Sequence, residues 1–335
     1  MEERTRAYLR GRFGDYYRRT GLTLPPDDRD REWAYIPWTA GPGTTMVRHR
    51  SLLDLGDVGD WLARERPRHV YFSSGRYERP GANTMDDKDW LGSDLVFDLD
   101  ADHLPAVDPA ADSYAEMLAA CKDALVRLLD LLTDDLGFAD LTIAFSAGRG
   151  YHVHVRDPSV QDLEREQRRE IVDYVRGIGI DPDALVDSET VAGRGRKTPA
   201  NKHTLRTSGG WGRRAARRLR QVTAKLADAD DGAALERLRS YDGIGESRAE
   251  SILGAIRTNR EAIAAGNVDV HRDFTHFARQ VIEETVTAES SHIDEPVTTD
   301  TNRLIRCSSW MFTSRPPSRL VRGPSGRCPR IREVS

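Results

Sequence analysis

Residues 93–100 read SDLVFDLD, and no other segment limits the possible folds as tightly. The alternation has a period of two, which fits a β-strand and not a helix. Leu95, Phe97 and Leu99 fall on one face and Asp94, Val96, Asp98 and Asp100 on the other. A strand with such an apolar face must lie against a core, so its second face carries Asp98 and Asp100 side by side at its end. Neighbouring carboxylates repel one another unless a cation offsets their charge, and their hard oxygens suit Mg²⁺ or Mn²⁺. An Asp-x-Asp also recurs in turns and exposed strands, so the pair alone leaves a purely structural role open.

A second cluster lies at AFSAGRGYHVHV, residues 144–155. It reads as a strand, a turn containing Gly148 and Gly150, and a second strand that places His152, His154 and Arg156 on one face. Glycines let backbone N–H groups approach a polyanion, and Arg149 offers a fork to phosphate oxygens. An ordinary hairpin with two satisfied histidines fits the same residues, and a His-x-His metal pair fits less well because no further ligand stands at a suitable spacing. The third cluster, VTTDTNRLIR, places Asp300 on a final strand expected over Thr299 to Arg306. Asp300 there suits either a metal site shared with Asp98 and Asp100 or a surface pair with Arg303.

The rest of the chain supplies helices between these strands. Apolar residues recur at helical spacing over 4–20 and 113–133, with further helices over 57–66, 160–176, 213–265 and 270–287. Extended segments over 31–50 and a strand over 68–73 complete the pattern. Strands interleaved with helices without a strict repeat indicate an α+β or mixed α/β fold. The chain is 335 residues long and 38% hydrophobic, enough for two domains with a core. It has no apolar run of membrane-spanning length and a charged N-terminus, so a cytoplasmic protein with no membrane partner is expected. Cys121, Cys307 and Cys328 show no C-x-x-C spacing, and reduced thiols are expected.

Charge is distributed unevenly. Residues 193–220 hold ten Lys/Arg and no acid, whereas the whole chain carries 50 basic against 54 acidic groups. That run is either a solvated helix face or a phosphate contact, and Trp211 within it either stacks on a base or packs. Only five of the basic residues are lysines, a composition in keeping with salt adaptation or a GC-rich gene. The segment YDGIGESRAESIL, 241–253, is similar to a helix-hairpin-helix, whose glycine turn presents N–H groups to DNA phosphates.

Taken in order, VYFSSGRYERP (70–80), MDDKDWLGSDLVFDLDADHL (85–104), FSAGRGYHVHV and DEPVTTDTNRLIR (294–306) resemble the motif set of the archaeal/eukaryotic DNA primase small subunit. The opening YLRGRFGDYY is similar to that family's as well, so the resemblance spans most of residues 4–306. It implies a primase-type catalytic fold with an α/β unit and an RRM-like unit, here 1–160 and 266–306, around a mostly helical insertion over 161–265. It implies Asp98, Asp100 and Asp300 as catalytic metal ligands binding Mg²⁺ or Mn²⁺. It further implies Ser146, Gly148, Arg149 and His152 as the nucleotide-binding motif. Primer synthesis on single-stranded DNA from nucleoside triphosphates, by two-metal nucleotidyl transfer during replication, is the implied activity. A primase large subunit, forming a heterodimer, and a replicative polymerase are the implied partners. A repair polymerase of the same fold, or a non-catalytic helix-hairpin-helix DNA-binding module, are the alternatives.

Three departures qualify the resemblance. Many archaeal members carry a Cys/His zinc knob, but residues 101–125 offer only His103 and Cys121, so no structural zinc is expected. Ala147 stands where the family usually has glycine. After Arg306 the family continues with a Pro-Gly-Ser-Leu-His-Gly-like segment. Residues 307–335 instead contain six Arg, six Ser, four Pro and two Cys, which is expected of a disordered tail translated in a shifted frame.

Overall fold

The alternating strand predicted over 93–100 is in fact two strands joined at Asp94. In the computed structural model, which describes residues 2–21, 23–38, 45–146, 148–191 and 200–307, one strand ends at Ser93 and the next begins at Leu95. The first half of the chain runs α1 (Glu3–Arg19), β1 (Arg31–Ile36), β2 (Val47–Arg50), α2 (Leu52–Leu55), α3 (Val58–Glu65) and β3 (His69–Tyr77). It continues with α4 (Met85–Lys88), β4 (Trp90–Ser93), β5 (Leu95–Asp100), α5 (Tyr114–Asp130), β6 (Leu141–Phe145) and β7 (Gly150–Val155). Then follow α6 (Pro158–Gln161), α7 (Arg165–Arg176), β8 (Val186–Val191), β9 (Ala200–Leu205) and α8 (Gly210–Asp228). Last come α9 (Asp231–Arg239), α10 (Glu246–Thr258), α11 (Arg260–Ala264), α12 (Arg272–Glu289), α13 (Glu295–Thr299) and β10 (Leu304–Arg306). The fold is α+β, as the sequence pattern indicates.

Compactness divides the chain into two units. One comprises residues up to Val126, Gly137–Val172 and the chain from His292 onward; the other comprises Arg127–Leu136 and Asp173–Ser291. The first holds two antiparallel sheets. One has the order β10-β3-β1-β2 with β4 also on β3, and the other has the order β5-β7-β6. Trp33, Phe72, Val96, Ala144, Val297 and Ile305 form part of one buried cluster, so side chains of both sheets and of α13 share a core.

Asp94 explains the break between β4 and β5. It is buried, and its carboxylate accepts hydrogen bonds from Arg31 Nη2 at 2.9 Å and Arg156 Nε at 3.1 Å. A buried carboxylate requires such partners, and here they sit at the junction where the chain passes from one sheet to the other.

The second unit is mainly helical. Leu219, Leu238, Ile252, Phe274, Phe277 and Val281 belong to its hydrophobic cluster, so α12 packs among α8, α9 and α10. Residues up to Ser291 therefore group with these helices, whereas the resemblance implied a unit joining 266–306 to 1–160. The unit also contains the β8–β9 hairpin, where the arginine-rich segment had suggested only loop and helix. Residues 308–335, including nearly all of the segment expected to be an aberrant tail, lie outside the described residues, as does Ala147. Among the described residues no helix is long and apolar enough to cross a membrane.

Candidate active site

The antiparallel register of β5 and β7 sets Asp98 opposite His152 and Asp100 opposite Gly150. Leu95, Phe97 and Leu99 are fully buried on one face of β5, which leaves Asp98 and Asp100 half-buried on the other. His152 Nε2 stands 3.5 Å from Asp98 Oδ1. Burial, and secondarily the charge of Arg306, pull the His152 pKa down to about 4, so this imidazole is neutral near pH 7. His154, two residues on, is buried against Phe72 with ring centroids 6.0 Å apart, and belongs to the core.

A third carboxylate arrives from a residue that the motif reading passed over. Asp294 donates its backbone N–H to the carbonyl oxygen of Asp98 at 3.0 Å. Desolvation first, then the charges of Asp294 and Asp100, raise the Asp98 pKa to about 6 against the opposing pull of Arg306 and Arg303. Asp98, Asp100 and Asp294 thus share one electrostatic neighbourhood. Asp294 precedes α13, which opens Glu295-Pro296, and Pro in the first helical turn is a recognised start signal. Extending a strand back to Thr299 hid that signal.

Asp300 has a different place. It follows the last residue of α13 instead of lying within a strand, and β10 begins only at Leu304. The Asp300 carboxylate accepts the backbone N–H of Asn302 at 2.9 Å. It lines a surface pocket with Arg165, Arg169, Glu295 and Arg303. A one-turn helix separates Asp294 from Asp300, and it is the Asp294 end that meets β5.

Ser146 and Arg149 flank the turn between β6 and β7. Ser146 is buried; its N–H bonds Gly150 O at 3.0 Å and its carbonyl oxygen accepts from Arg306 Nη2 at 3.0 Å. Arg149 pairs with Asp102, Nη2 to Oδ2 at 2.6 Å, and remains 40% exposed. Arg306 therefore stands beside the serine of this loop while its charge acts on both Asp98 and His152. The two glycines serve different ends. A Cβ on Gly150 would lie 2.0 Å from Leu99 O, so this position is glycine because β5 and β7 approach closely there. At Gly148 the nearest atom to such a Cβ is Ser146 Oγ at 3.8 Å, so no close approach requires glycine there.

Oxygen donors and a shared negative charge are what a divalent cation requires, and the cluster of Asp98, Asp100 and Asp294 offers both. Among the described residues, no three carboxylate, imidazole or thiolate side chains stand close enough as placed to ligate a single ion. The fit therefore rests on donor chemistry and charge.

Within the described part of the basic run at 193–220, four arginines are paired with acids of their own unit, Arg206 with Asp187 among them. Arg213 pairs with Asp134 and Asp135, Arg214 with Asp135 and Glu289, and Arg217 with Glu289. Trp211 is buried and donates Nε1–H to Tyr174 O at 3.1 Å, so it packs. The glycine turn at 241–253 does join two helices, α9 and α10, as the helix-hairpin-helix pattern requires. Asp242 and Glu246 flank that turn, and Arg248 donates to the Gly243 carbonyl oxygen at 2.8 Å.

Comparison with known proteins points in one direction. A family model described as DNA primase small subunit matches residues 97–308. The DNA primase small subunit PriS of Haloarcula marismortui is 63% identical over 307 residues, covering 91% of this chain and 78% of that protein. PriS of Halobacterium salinarum is 60% identical over 306 residues, with the same coverage of 91% and 78%. PriS of Methanococcoides burtonii is 39% identical over 313 residues, covering 91% and 79%.

Proposed function

Because the chain belongs to the DNA primase small subunit family, we propose that it is the catalytic subunit of a primase that makes short primers on single-stranded DNA during replication. The observation that supports this reading is the backbone hydrogen bond that sets Asp294 next to Asp98, whose carboxylate feels the charges of Asp294, Asp100 and Arg306.

Asp98, Asp100 and Asp294 would hold the divalent cations, Mg²⁺ or Mn²⁺. When bound, such cations lower the pKa of an attacking 3′-hydroxyl and offset charge on the departing pyrophosphate. The remaining groups bind and orient the incoming triphosphate. Arg149 and Arg306 supply guanidinium N–H donors to its oxygens, with Asp102 competing for Arg149 until the nucleotide arrives. Neutral His152 donates or accepts one hydrogen bond next to Asp98 without adding charge to the site. Gly148 leaves room for backbone approach. A large subunit as heterodimeric partner, nucleoside triphosphates as substrates and a replicative polymerase as recipient of the primer belong to the same proposal.

The test is nucleotide incorporation on a single-stranded template without a primer, with Mg²⁺ or Mn²⁺, by the chain alone and with a large subunit. Products that begin from two nucleotides are expected. Extension only of a pre-existing primer would favour a repair polymerase. Absence of any incorporation, also from a chain whose reading frame is restored after codon 306, would overturn the assignment.

A further inference from the structure

We infer that the outer face of α1 is a track for single-stranded nucleic acid, built from Arg4, Tyr8, Arg12, Tyr16 and Arg19. Residues four apart on a helix lie on one side, about 6 Å from one another along the axis. Arg4, Tyr8, Arg12 and Tyr16 obey that spacing, and Arg19 closes the stripe one turn later. All five are exposed, with Tyr8 at 65% and Tyr16 at 45%.

The opposite face of α1 holds the helix in place. Gly14 is buried against Arg66, Phe13 meets Trp38 edge-on at 5.3 Å, and Tyr17 donates its hydroxyl to Pro67 O at 3.0 Å. The helix thus has an anchored side, which Tyr16 touches edge-on through Tyr17 at 5.9 Å while its ring stays 45% exposed.

Charge separates this stripe from three of the arginines on the other arginine-rich helix. On α8, Arg213, Arg214 and Arg217 are bound to acids. On α1, Arg4, Arg12 and Arg19 have no carboxylate partner among the described residues, and the nearby Asp15 is engaged by Arg18 at 2.5 Å. In a chain of net charge −4, three such arginines form a local positive strip. Aromatic rings between them select the ligand. Arginines alone would suit any polyanion, but exposed tyrosines interleaved with arginines offer stacking platforms to unpaired bases while the guanidiniums follow the phosphates. From Tyr8 to Tyr16 is about 12 Å, enough for several nucleotides at a rise of about 3.4 Å each.

The inference rests on the proposed primase activity only in identifying the strand as template; the binding itself is independent of it. The probe is a fluorescent oligothymidylate, and its affinity for the full chain is measured by anisotropy across a salt series. The wild-type chain is expected to bind it with a negative salt slope. Replacing Arg4, Arg12 and Arg19 with serine should reduce that slope by about 2, at about 0.7 per phosphate contact on a single strand. Tyr8→Ala and Tyr16→Ala should each weaken binding by about fivefold to a hundredfold without changing the slope. Tyr8→Phe and Tyr16→Phe preserve the rings and should preserve affinity, which separates stacking from any loss of fold.

Affinity and slope unchanged in the serine and alanine variants would overturn the inference and leave the stripe as a protein-docking face. A wild-type chain that fails to bind the oligonucleotide would overturn it as well. Binding through α1 by a chain that makes no primers would sink the primase assignment alone. Primer synthesis with α1 variants that bind normally would sink this inference alone.

Discussion

Asp294 and Asp98 are joined by a backbone hydrogen bond of 3.0 Å, Asp294 donating its N–H to the Asp98 carbonyl oxygen. The bond ties the start of α13, where Asp294 stands, to the middle of β5. Asp300, at the other end of the same short helix, is committed to its own turn.

Asp294→Asn and Asp300→Asn should therefore behave differently. The first is expected to lower nucleotide incorporation by about a hundredfold to a thousandfold, the scale seen when a group facing transition-state charge is lost. The second should leave the rate within a few-fold and cost at most about 1 kcal/mol of stability through its turn hydrogen bond. Equal loss in both would show that the two acids share the role.

Asp98 should make the metal-free chain more stable in mild acid. Its folded pKa, about 6, lies above the unfolded carboxylate value of about 3.9, so folding penalises the charged form. That penalty is fully present above pH 6 and is relieved as pH falls toward 4, because the folded state then binds the proton first. Asp98→Asn should remove this contribution and raise stability at pH 7 by up to about 3 kcal/mol, a ceiling set by partial exposure. Denaturant unfolding with chelator at pH 7 and pH 5 is the measurement; a destabilised variant at pH 7 would contradict the sign.

Divalent-cation affinity should fall as the solution is acidified through about pH 6. The proton and the cation compete for the Asp98 carboxylate, and binding requires the deprotonated form. Calorimetric titration with Mn²⁺ at pH 7.5 and pH 5.5 should show at least about a threefold loss, the fraction of ionised Asp98 at the lower pH being the cause. Affinity independent of pH in this interval would remove Asp98 from the ligand set.

The two loop glycines should separate folding from binding. Gly150→Ala places a Cβ against Leu99 O and should destabilise the β5–β7 pairing by about 3 kcal/mol or prevent folding. Gly148→Ala meets no such obstacle and should melt like the wild type, with its effect confined to nucleotide affinity. Thermal denaturation of both variants, with nucleotide titration of the second, decides between these roles; equal melting temperatures would disprove the close-approach argument.

Restoring the reading frame after codon 306 should raise primer synthesis by about a hundredfold if residues 307–335 are a frame-shifted replacement. A displacement of about 1 Å in a catalytic group can cost that much. Arg306, which ends β10 beside Ser146, directly precedes residues 307–335. Equal synthesis by both forms, each with its large subunit, would establish that the segment functions as it stands.

What the sequence determined on its own was local. Period-two alternation reveals β5 and the face shared by Asp98 and Asp100, because successive side chains of a strand point to opposite sides whatever surrounds them. The turn at 146–150 and the helical pattern of α5 and α12 are visible for the same kind of reason. Tertiary structure decided the rest. Whether Asp294 or Asp300 meets β5 depends on a one-turn helix, too short for periodicity to disclose, and on a hydrogen bond between residues far apart in sequence. Whether an arginine is paired with an acid depends on other segments, as Asp135 and Glu289 neutralise Arg214 while Arg4, Arg12 and Arg19 of α1 have no such partner among the described residues. Composition counts charges, but only the folded chain sets which of them are paired.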